Sequence, residues 1–118
     1  MGLTYVQKLI ARACGRAGVE TGEVLELPVH LAMSHENAAL VINQFNEIYR
    51  ESGLEPKVWD PDRIAIIFDH RVPAESSKTA TNQKRIRDFV AEQGVAKFHD
   101  IRGDVGGICT RSCPKMAT

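Results

Sequence analysis

The chain has 118 residues, of which 43% are hydrophobic and 25% charged, a composition typical of one ordinary globular domain. Its 15 basic and 15 acidic side chains cancel, so no broad positive field is present to attract nucleic acid or an anionic membrane. No stretch has the length and apolarity of a membrane span or of a signal peptide, so we expect a soluble, cytoplasmic protein.

The first predicted element is an amphipathic helix that begins after Thr4. Thr4 and Gln7 form a capping-box pattern, and apolar residues then recur at helical spacing until Gly15. Cys14 lies on the apolar side and is expected to be a core residue, and the odd number of cysteines argues against a disulfide framework. The segment 23–29 partly alternates polar and apolar residues and contains a proline, which predicts a short strand.

The remainder of the chain alternates predicted helices and strands. In order, these elements are a helix that begins near 35–37 and ends at Ser52, a turn at 57–62, a strand at 63–68, a helix at 76–93 and a strand at 95–101. The strand–helix–strand order predicts an α/β fold with a small, mostly parallel sheet. No repeat, linker or low-complexity segment divides the chain.

The most informative pair, Asp69 and His70, directly follows the apolar strand 63–68. In open α/β sheets, ligands bind beyond the carboxyl ends of the strands. A carboxylate and an imidazole at that edge are candidates for acid–base chemistry or for holding a substrate. The alternative is a surface loop with two polar residues, because both residue types are common there.

Four segments of the sequence are informative when taken together. They are Leu31–Ala38, Val58–Asp62, Ile66–Pro73 and Asp104–Cys109. In this order they resemble the amino-terminal part of the aconitase superfamily, with the closest likeness to the large subunit of 3-isopropylmalate dehydratase and homoaconitase. The similarity runs through nearly all of residues 2–109. The resemblance implies a three-layer α/β/α aconitase-type domain, of which this chain would be an amino-terminal fragment.

The resemblance implies a hydro-lyase that isomerises a 2-substituted malate, of the 3-isopropylmalate or homocitrate type, by dehydration and rehydration. In the family, the pair that matches Asp69 and His70 is catalytic, and the histidine is thought to assist the departing hydroxyl. The segment before the second helix contacts substrate, and there we expect Ser34 and His35 to bind it near the helix amino terminus. The alternative is that Ser34, or Asn37, only caps the helix.

Residues 110–118 have no counterpart in the family, which continues past Cys109 with His-Gln-Val. Loss of one cytosine base after the Cys109 codon would shift the reading frame. Codons for His-Gln-Val-Leu-Pro-Glu-Asp-Gly-Asp would then be read as Thr-Arg-Ser-Cys-Pro-Lys-Met-Ala-Thr, which is the tail of this chain. We therefore expect residues 1–109 to be the amino-terminal portion of the domain and the tail to be frameshifted. Cys109 and Cys113 beside His99 would then be an accident of the shifted frame and not a metal site.

The resemblance also implies a [4Fe-4S] cluster that acts as a Lewis acid in the full-length enzyme. The family's cluster-ligating cysteines lie downstream, so neither a cluster nor another metal is expected on this chain alone, which we expect to be inactive. The expected partners are the small subunit, or swivelling domain, and a hydroxy di- or tricarboxylic acid, in leucine or lysine biosynthesis.

Two other functions remain open from the sequence. The chain could be a stand-alone binding or scaffold module that associates with other dehydratase subunits through an exposed sheet edge. It could also be a small independent enzyme that uses Asp69 and His70, with His35 or His99, as a metal or general-base site.

Overall fold

The computed structural model describes residues 2–101. The chain divides after His30 into two compact units. No helix within residues 2–101 is long and apolar enough to cross a membrane.

The first unit contains helix α1, Tyr5–Cys14. The predicted capping box is confirmed, because the Gln7 N–H donates to Thr4 Oγ1 at 3.2 Å and the Thr4 N–H donates to Gln7 Oε1 at 2.8 Å. Gly15 ends the helix with a φ of 67°, a left-handed conformation that glycine adopts without steric cost. Cys14 is half-buried, so the prediction of a core cysteine is only partly met.

The predicted strand at 23–29 is wrong. None of these residues takes part in a sheet of the described chain, and a strand persists only where a neighbouring strand supplies hydrogen bonds. Pro28 also lacks an N–H to donate. An ion pair between Arg16 and Glu23 joins the two ends of the loop that precedes this segment.

The second unit is built on a parallel sheet with strand order β1-β2-β3. The strands are β1 Ala32–Ser34, β2 Ile64–Ile67 and β3 Lys97–His99. The central strand β2 is almost completely buried, as expected for an apolar run in a parallel sheet. Before β2, Asp60 Oδ1 accepts the Asp62 N–H at 3.0 Å, which is the turn bond that the sequence predicts.

Two helices connect the strands: α2, Ala38–Ser52, joins β1 to β2, and α3, Ser77–Gln93, joins β2 to β3. The helices contact each other and so lie on one face of the sheet. The rings of Phe45 and Phe89 meet edge to face there, with centroids 5.5 Å apart. The predicted α/β fold with a small parallel sheet is confirmed, and residues 31–101 show one helical layer and the sheet layer.

The core lies between the two helices and the sheet. Its buried cluster consists of Ala38, Ala39, Ile42, Ile66, Phe68 and Ile86. Phe68 and Ile86 are among the largest fully buried side chains, and burying each contributes roughly 2 kcal/mol to stability. Phe68 follows β2 directly, so the position at which the chain leaves the core is well determined and the next residue begins the candidate site.

Candidate functional site

The carboxyl ends of β1 and β2 lie side by side because the two strands pair in parallel, with Ser34 opposite Ile66. Residues 35–37 leave β1 at this edge, and residues 69–72 leave β2 beside them. Two segments that are 34 residues apart in the chain therefore meet at one edge of the sheet.

Asp69 and His70 contact each other through their side chains. Asp69 Oδ1 lies within hydrogen-bonding distance of His70 Nδ1. The carboxylate is 9% exposed, whereas the imidazole is 52% exposed. A carboxylate favours the proton on Nδ1, and Nε2 is then the ring nitrogen left to exchange a proton with a ligand.

His35 stacks on His70. The two ring centroids are 4.2 Å apart and the planes differ by 16°. His35 Nδ1 lies 3.6 Å from Glu36 Oε2 and accepts the Asn37 N–H at 3.4 Å. Each of the two stacked imidazoles therefore has a carboxylate of its own beside it.

Glu36 is a buried member of the site that the sequence did not single out. Its side chain is 4% exposed. Oε1 accepts the N–H of His70 at 3.0 Å and the N–H of Arg71 at 2.9 Å, and Oε2 lies 3.3 Å from the same His70 nitrogen. Glutamate is mostly exposed in proteins and is rarely buried unless it is paired. Nothing in the sequence therefore predicted that Glu36 would be buried and would bind the backbone of the loop after β2.

The loop after β2 is held on its other side by α3. Gln83, which is 4% exposed, donates from Nε2 to the Arg71 carbonyl at 2.9 Å. The exposed Arg71 side chain pairs with Glu75 at 3.3 Å. The Thr79 hydroxyl donates to the same Glu75 carboxylate at 2.7 Å, and this bond is the main reason that the pKa of Glu75 lies below its usual value.

Ser34 lies at the end of β1 but has different surroundings from His35. Its hydroxyl donates to the His35 carbonyl at 3.5 Å. It also lines an apolar groove of about 390 Å³, whose walls include Met33, Phe45 and Trp59. The structure therefore brings His35, Asp69 and His70 together and leaves Ser34 at their margin.

The alternative that Ser34 or Asn37 caps the second helix, α2, with its side chain is wrong. The residue at the amino-terminal cap of α2 is Asn37, and its side chain makes no capping hydrogen bond. The hydroxyl of Ser34 donates to a carbonyl, whereas a cap would accept from a backbone N–H.

A smaller polar cavity of about 180 Å³ adjoins the site between the first turns of α2 and α3. Its lining residues are Glu36, Asn37, Ala39, Leu40, Arg71, Lys78, Thr79 and Asn82. Arg71 and Lys78 supply cationic groups that suit a carboxylate-bearing molecule.

Three of these side chains are of types that bind metal ions. One ligand atom from each of His35, Glu36 and His70 lies within 4.8 Å of the others. An imidazole nitrogen binds a metal ion in the plane of its ring, however, because its lone pair lies in that plane. The rings of His35 and His70 are stacked with planes that differ by only 16°, so one ion cannot lie in both ring planes close to both nitrogens. As arranged, the set is better suited to proton transfer than to metal binding.

The described residues do not fit an iron–sulfur cluster. Such clusters are held by cysteine thiolates. Within residues 2–101 the one cysteine is Cys14, which lies in the first unit. Cys109 and Cys113, which are not expected from the sequence to form a metal site, lie outside the described residues.

The chain is similar to several known proteins of one kind. No family model matches the chain. A protein named as a probable 3-isopropylmalate dehydratase large subunit from Methanothermobacter thermautotrophicus is 40% identical over 116 residues, which is 98% of this chain and 26% of the relative. A 3-isopropylmalate dehydratase large subunit from Methanopyrus kandleri is 38% identical over 115 residues, again 98% of this chain and 26% of the relative. A protein named as a probable methanogen homoaconitase large subunit from Methanothermobacter thermautotrophicus is 36% identical over 96% of this chain and 26% of its own length.

Proposed function

This chain belongs to the family of 3-isopropylmalate dehydratase and homoaconitase large subunits, and on that premise we propose that it supplies acid–base groups to a hydro-lyase. The family membership confirms the resemblance seen in its sequence. The chain spans 26% of the length of these relatives. The reaction is the isomerisation of a 2-substituted malate, of the 3-isopropylmalate or homocitrate type, by dehydration and rehydration. The supporting observation is the Asp69–His70 pair stacked against His35 at the carboxyl ends of two parallel strands.

His70 is proposed to protonate the departing hydroxyl. When the C–O bond breaks, its electron pair stays on oxygen, and a proton from Nε2 lets the oxygen leave as water. The nearly buried Asp69 binds Nδ1 and so orients the ring with Nε2 free for this transfer. In rehydration the neutral Nε2 takes a proton from the attacking water. The base that removes the proton from the neighbouring carbon is not assigned among residues 2–101.

Ser34 and His35 are proposed to bind the substrate. The His35 ring lies against His70, so an oxygen atom bound by His35 would be next to the group that transfers the proton. The Ser34 hydroxyl at the end of the same strand would contact a neighbouring carboxylate. This assignment agrees with the family's use of the segment before the second helix.

The longer enzyme would supply the remaining parts of the site. A [4Fe-4S] cluster would act there as the Lewis acid, and its ligands would lie outside residues 2–101. The small subunit would complete the substrate cavity, so the chain by itself would be inactive. A cytoplasmic location, a role in leucine or lysine biosynthesis, the domain bounds 1–109 and the frameshift origin of residues 110–118 all remain predictions.

A binding or scaffold module is the second candidate. Strand β1 lies at an edge of the described sheet, beside the apolar groove that contains Met33 and the 75%-exposed Trp59. Such an edge suits association with another dehydratase subunit. Restoration of activity when this chain is added to a separately expressed remainder of the large subunit would favour this role.

The catalytic proposal is tested in a full-length large subunit with a restored reading frame, assembled with its small subunit. His70→Ala and Asp69→Ala are expected to lower kcat about 100-fold or more, because a positioned acid or base is lost. Iron content and visible absorbance should stay unchanged. Asp88→Ala removes an exposed carboxylate on α3 and serves as the control. Normal turnover in both site variants would contradict the assignment.

A further inference from the structure

We propose that Glu36 is a positioning residue that sets the place of His70 by binding the backbone of the loop after β2. The inference rests on the function proposed for His70, and the tests below separate the two. Glu36 comes from the β1 side of the sheet edge, whereas His70 comes from the β2 side.

The contact is a bond between a charged acceptor and two successive backbone donors. A single oxygen, Oε1, accepts from His70 at 3.0 Å and from Arg71 at 2.9 Å. Hydrogen bonds to an ionised acceptor are stronger than neutral ones, and burial limits competition from water. A buried carboxylate also needs such partners, so the loop and the side chain stabilise each other.

His70 is restrained at two points by carboxylates. Its backbone nitrogen is bound to Glu36, and its ring is bound at Nδ1 to Asp69. The Arg71 carbonyl is fixed in turn by Gln83 from α3. These three contacts hold the residue against both the β1 side and the α3 side, so the position of its Nε2 depends on Glu36.

Glu36 also lies beside the second imidazole, at a distance longer than a hydrogen bond. Its Oε2 lies 3.6 Å from Nδ1 of His35, whose ring stacks on His70. One buried side chain therefore binds the backbone of His70 and lies close to the ring that stacks on it. Loss of Glu36 is expected to shift the His70 ring relative to a bound substrate and so to disturb its stacking on His35.

The first test measures the hydrogen bonds directly in the 118-residue chain. Through-hydrogen-bond NMR couplings should connect the amide nitrogens of His70 and Arg71 to the Glu36 carboxylate carbon. The measurement needs no variant and so does not depend on whether a variant folds. Absence of both couplings in a sample whose Phe68 amide shows its bond to the His99 carbonyl would overturn the inference.

The second test uses hydrogen exchange. Glu36→Ala should speed exchange of the His70 and Arg71 amides by about 10-fold or more beyond any change at the Phe68 amide, whose exchange follows the global stability of the sheet. Glu36→Gln should keep slow exchange, because its amide oxygen can accept both N–H groups. Glu47→Gln, an exposed change on α2, is the matched control. Unchanged exchange in the Glu36→Ala chain would contradict the inference.

The third test measures kinetics in the assembled full-length enzyme. Glu36→Ala is expected to lower kcat by about 10- to 100-fold with KM changed by less than about 3-fold, since misplacement of a proton donor weakens the chemical step. Glu36→Gln should restore kcat to within about 3-fold of wild type. A wild-type kcat in Glu36→Ala would refute the positioning role, provided that His70→Ala is inactive.

The outcomes separate the two proposals. If His70→Ala retains turnover while exchange at His70 responds to Glu36→Ala, the catalytic assignment fails and the backbone contact stands. If His70→Ala is inactive but Glu36→Ala changes neither exchange nor kcat, the positioning role fails alone. Stoichiometric Zn²⁺ binding that is abolished by Glu36→Ala would assign the carboxylate to a metal site and would also overturn the inference.

Discussion

Two glutamates hold two loops of this protein in chemically similar but energetically different ways. Glu36 binds two backbone N–H groups of a loop that is distant in the sequence, and its side chain is 4% exposed. Glu23 accepts one N–H, from Glu20 at 3.2 Å, and pairs with Arg16, and its side chain is 29% exposed. The first contact joins separate elements of the fold, whereas the second closes a local loop.

The difference between them is the competition from water. An exposed ion pair gains little over its solvated partners and is weakened by salt. A buried carboxylate has already lost its water, so removal of its side chain leaves the two amides of the loop without acceptors. The comparison indicates that burial, more than the number of bonds, decides which carboxylate determines local structure.

The largest expected effect on stability comes from Glu36→Ala. Two buried N–H groups would lose their acceptor, and we expect the free energy of unfolding to fall by about 3 kcal/mol. Urea denaturation followed by far-UV circular dichroism measures it. The paired variant Glu23→Ala should leave the urea midpoint unchanged within error. Equal losses in the two variants would break the comparison.

Gln83→Ala is expected to have a smaller effect. It removes one neutral hydrogen bond to the Arg71 carbonyl, and the loss should be about 1 kcal/mol by the same urea measurement. Gln44→Ala, at an exposed position on α2, controls for loss of a glutamine from a helix. A loss as large as that of Glu36→Ala would mean that the neutral bond holds the loop as strongly as the charged one.

The smallest effect is expected at Glu23 and is best followed by pH. The hydrogen bond from Arg16, aided by the Glu20 N–H, lowers the pKa of Glu23 below its ordinary value of 4.5. Because the folded-state pKa is lowered, the stabilisation is present above pH 4.5 and is lost as the pH falls through the lowered value.

NMR titration of the Glu23 carboxylate carbon measures this shift. Arg16→Ala should bring the midpoint of the titration back towards 4.5, and so should 1 M salt. A midpoint that both changes leave the same would show that the Arg16–Glu23 pair does not form in solution. Glu23 could then not be compared with Glu36 as an exposed carboxylate that holds a loop.

Local patterns were sufficient to predict most of the helical structure. The capping box of α1 and the end of that helix at Gly15 depend on residues within one or two turns, and the helix predicted at 76–93 is observed as Ser77–Gln93. The apolar run at 63–68 likewise predicts a buried strand, observed as Ile64–Ile67. These features follow from near neighbours and are readable in the sequence.

Strands that depend on distant partners were harder to predict. Strand β1 has three residues, too few to show a period, and exists because β2 pairs with it. The segment 23–29 has a more strand-like pattern but takes part in no sheet of the described chain. Pairing, which is a property of the folded chain, decided both cases.

The sequence by itself determined the family, the α/β class and the presence of Asp69 and His70 directly after a buried strand. Only the tertiary structure decided that His35 stacks on His70 and that Glu36 is buried against the backbone of the next loop. The physical reason is that adjacent residues are joined by the covalent chain, whereas residues 34 positions apart meet only after the sheet has paired in register. Burial likewise depends on everything packed around a side chain, and a glutamate in a sequence does not carry that information.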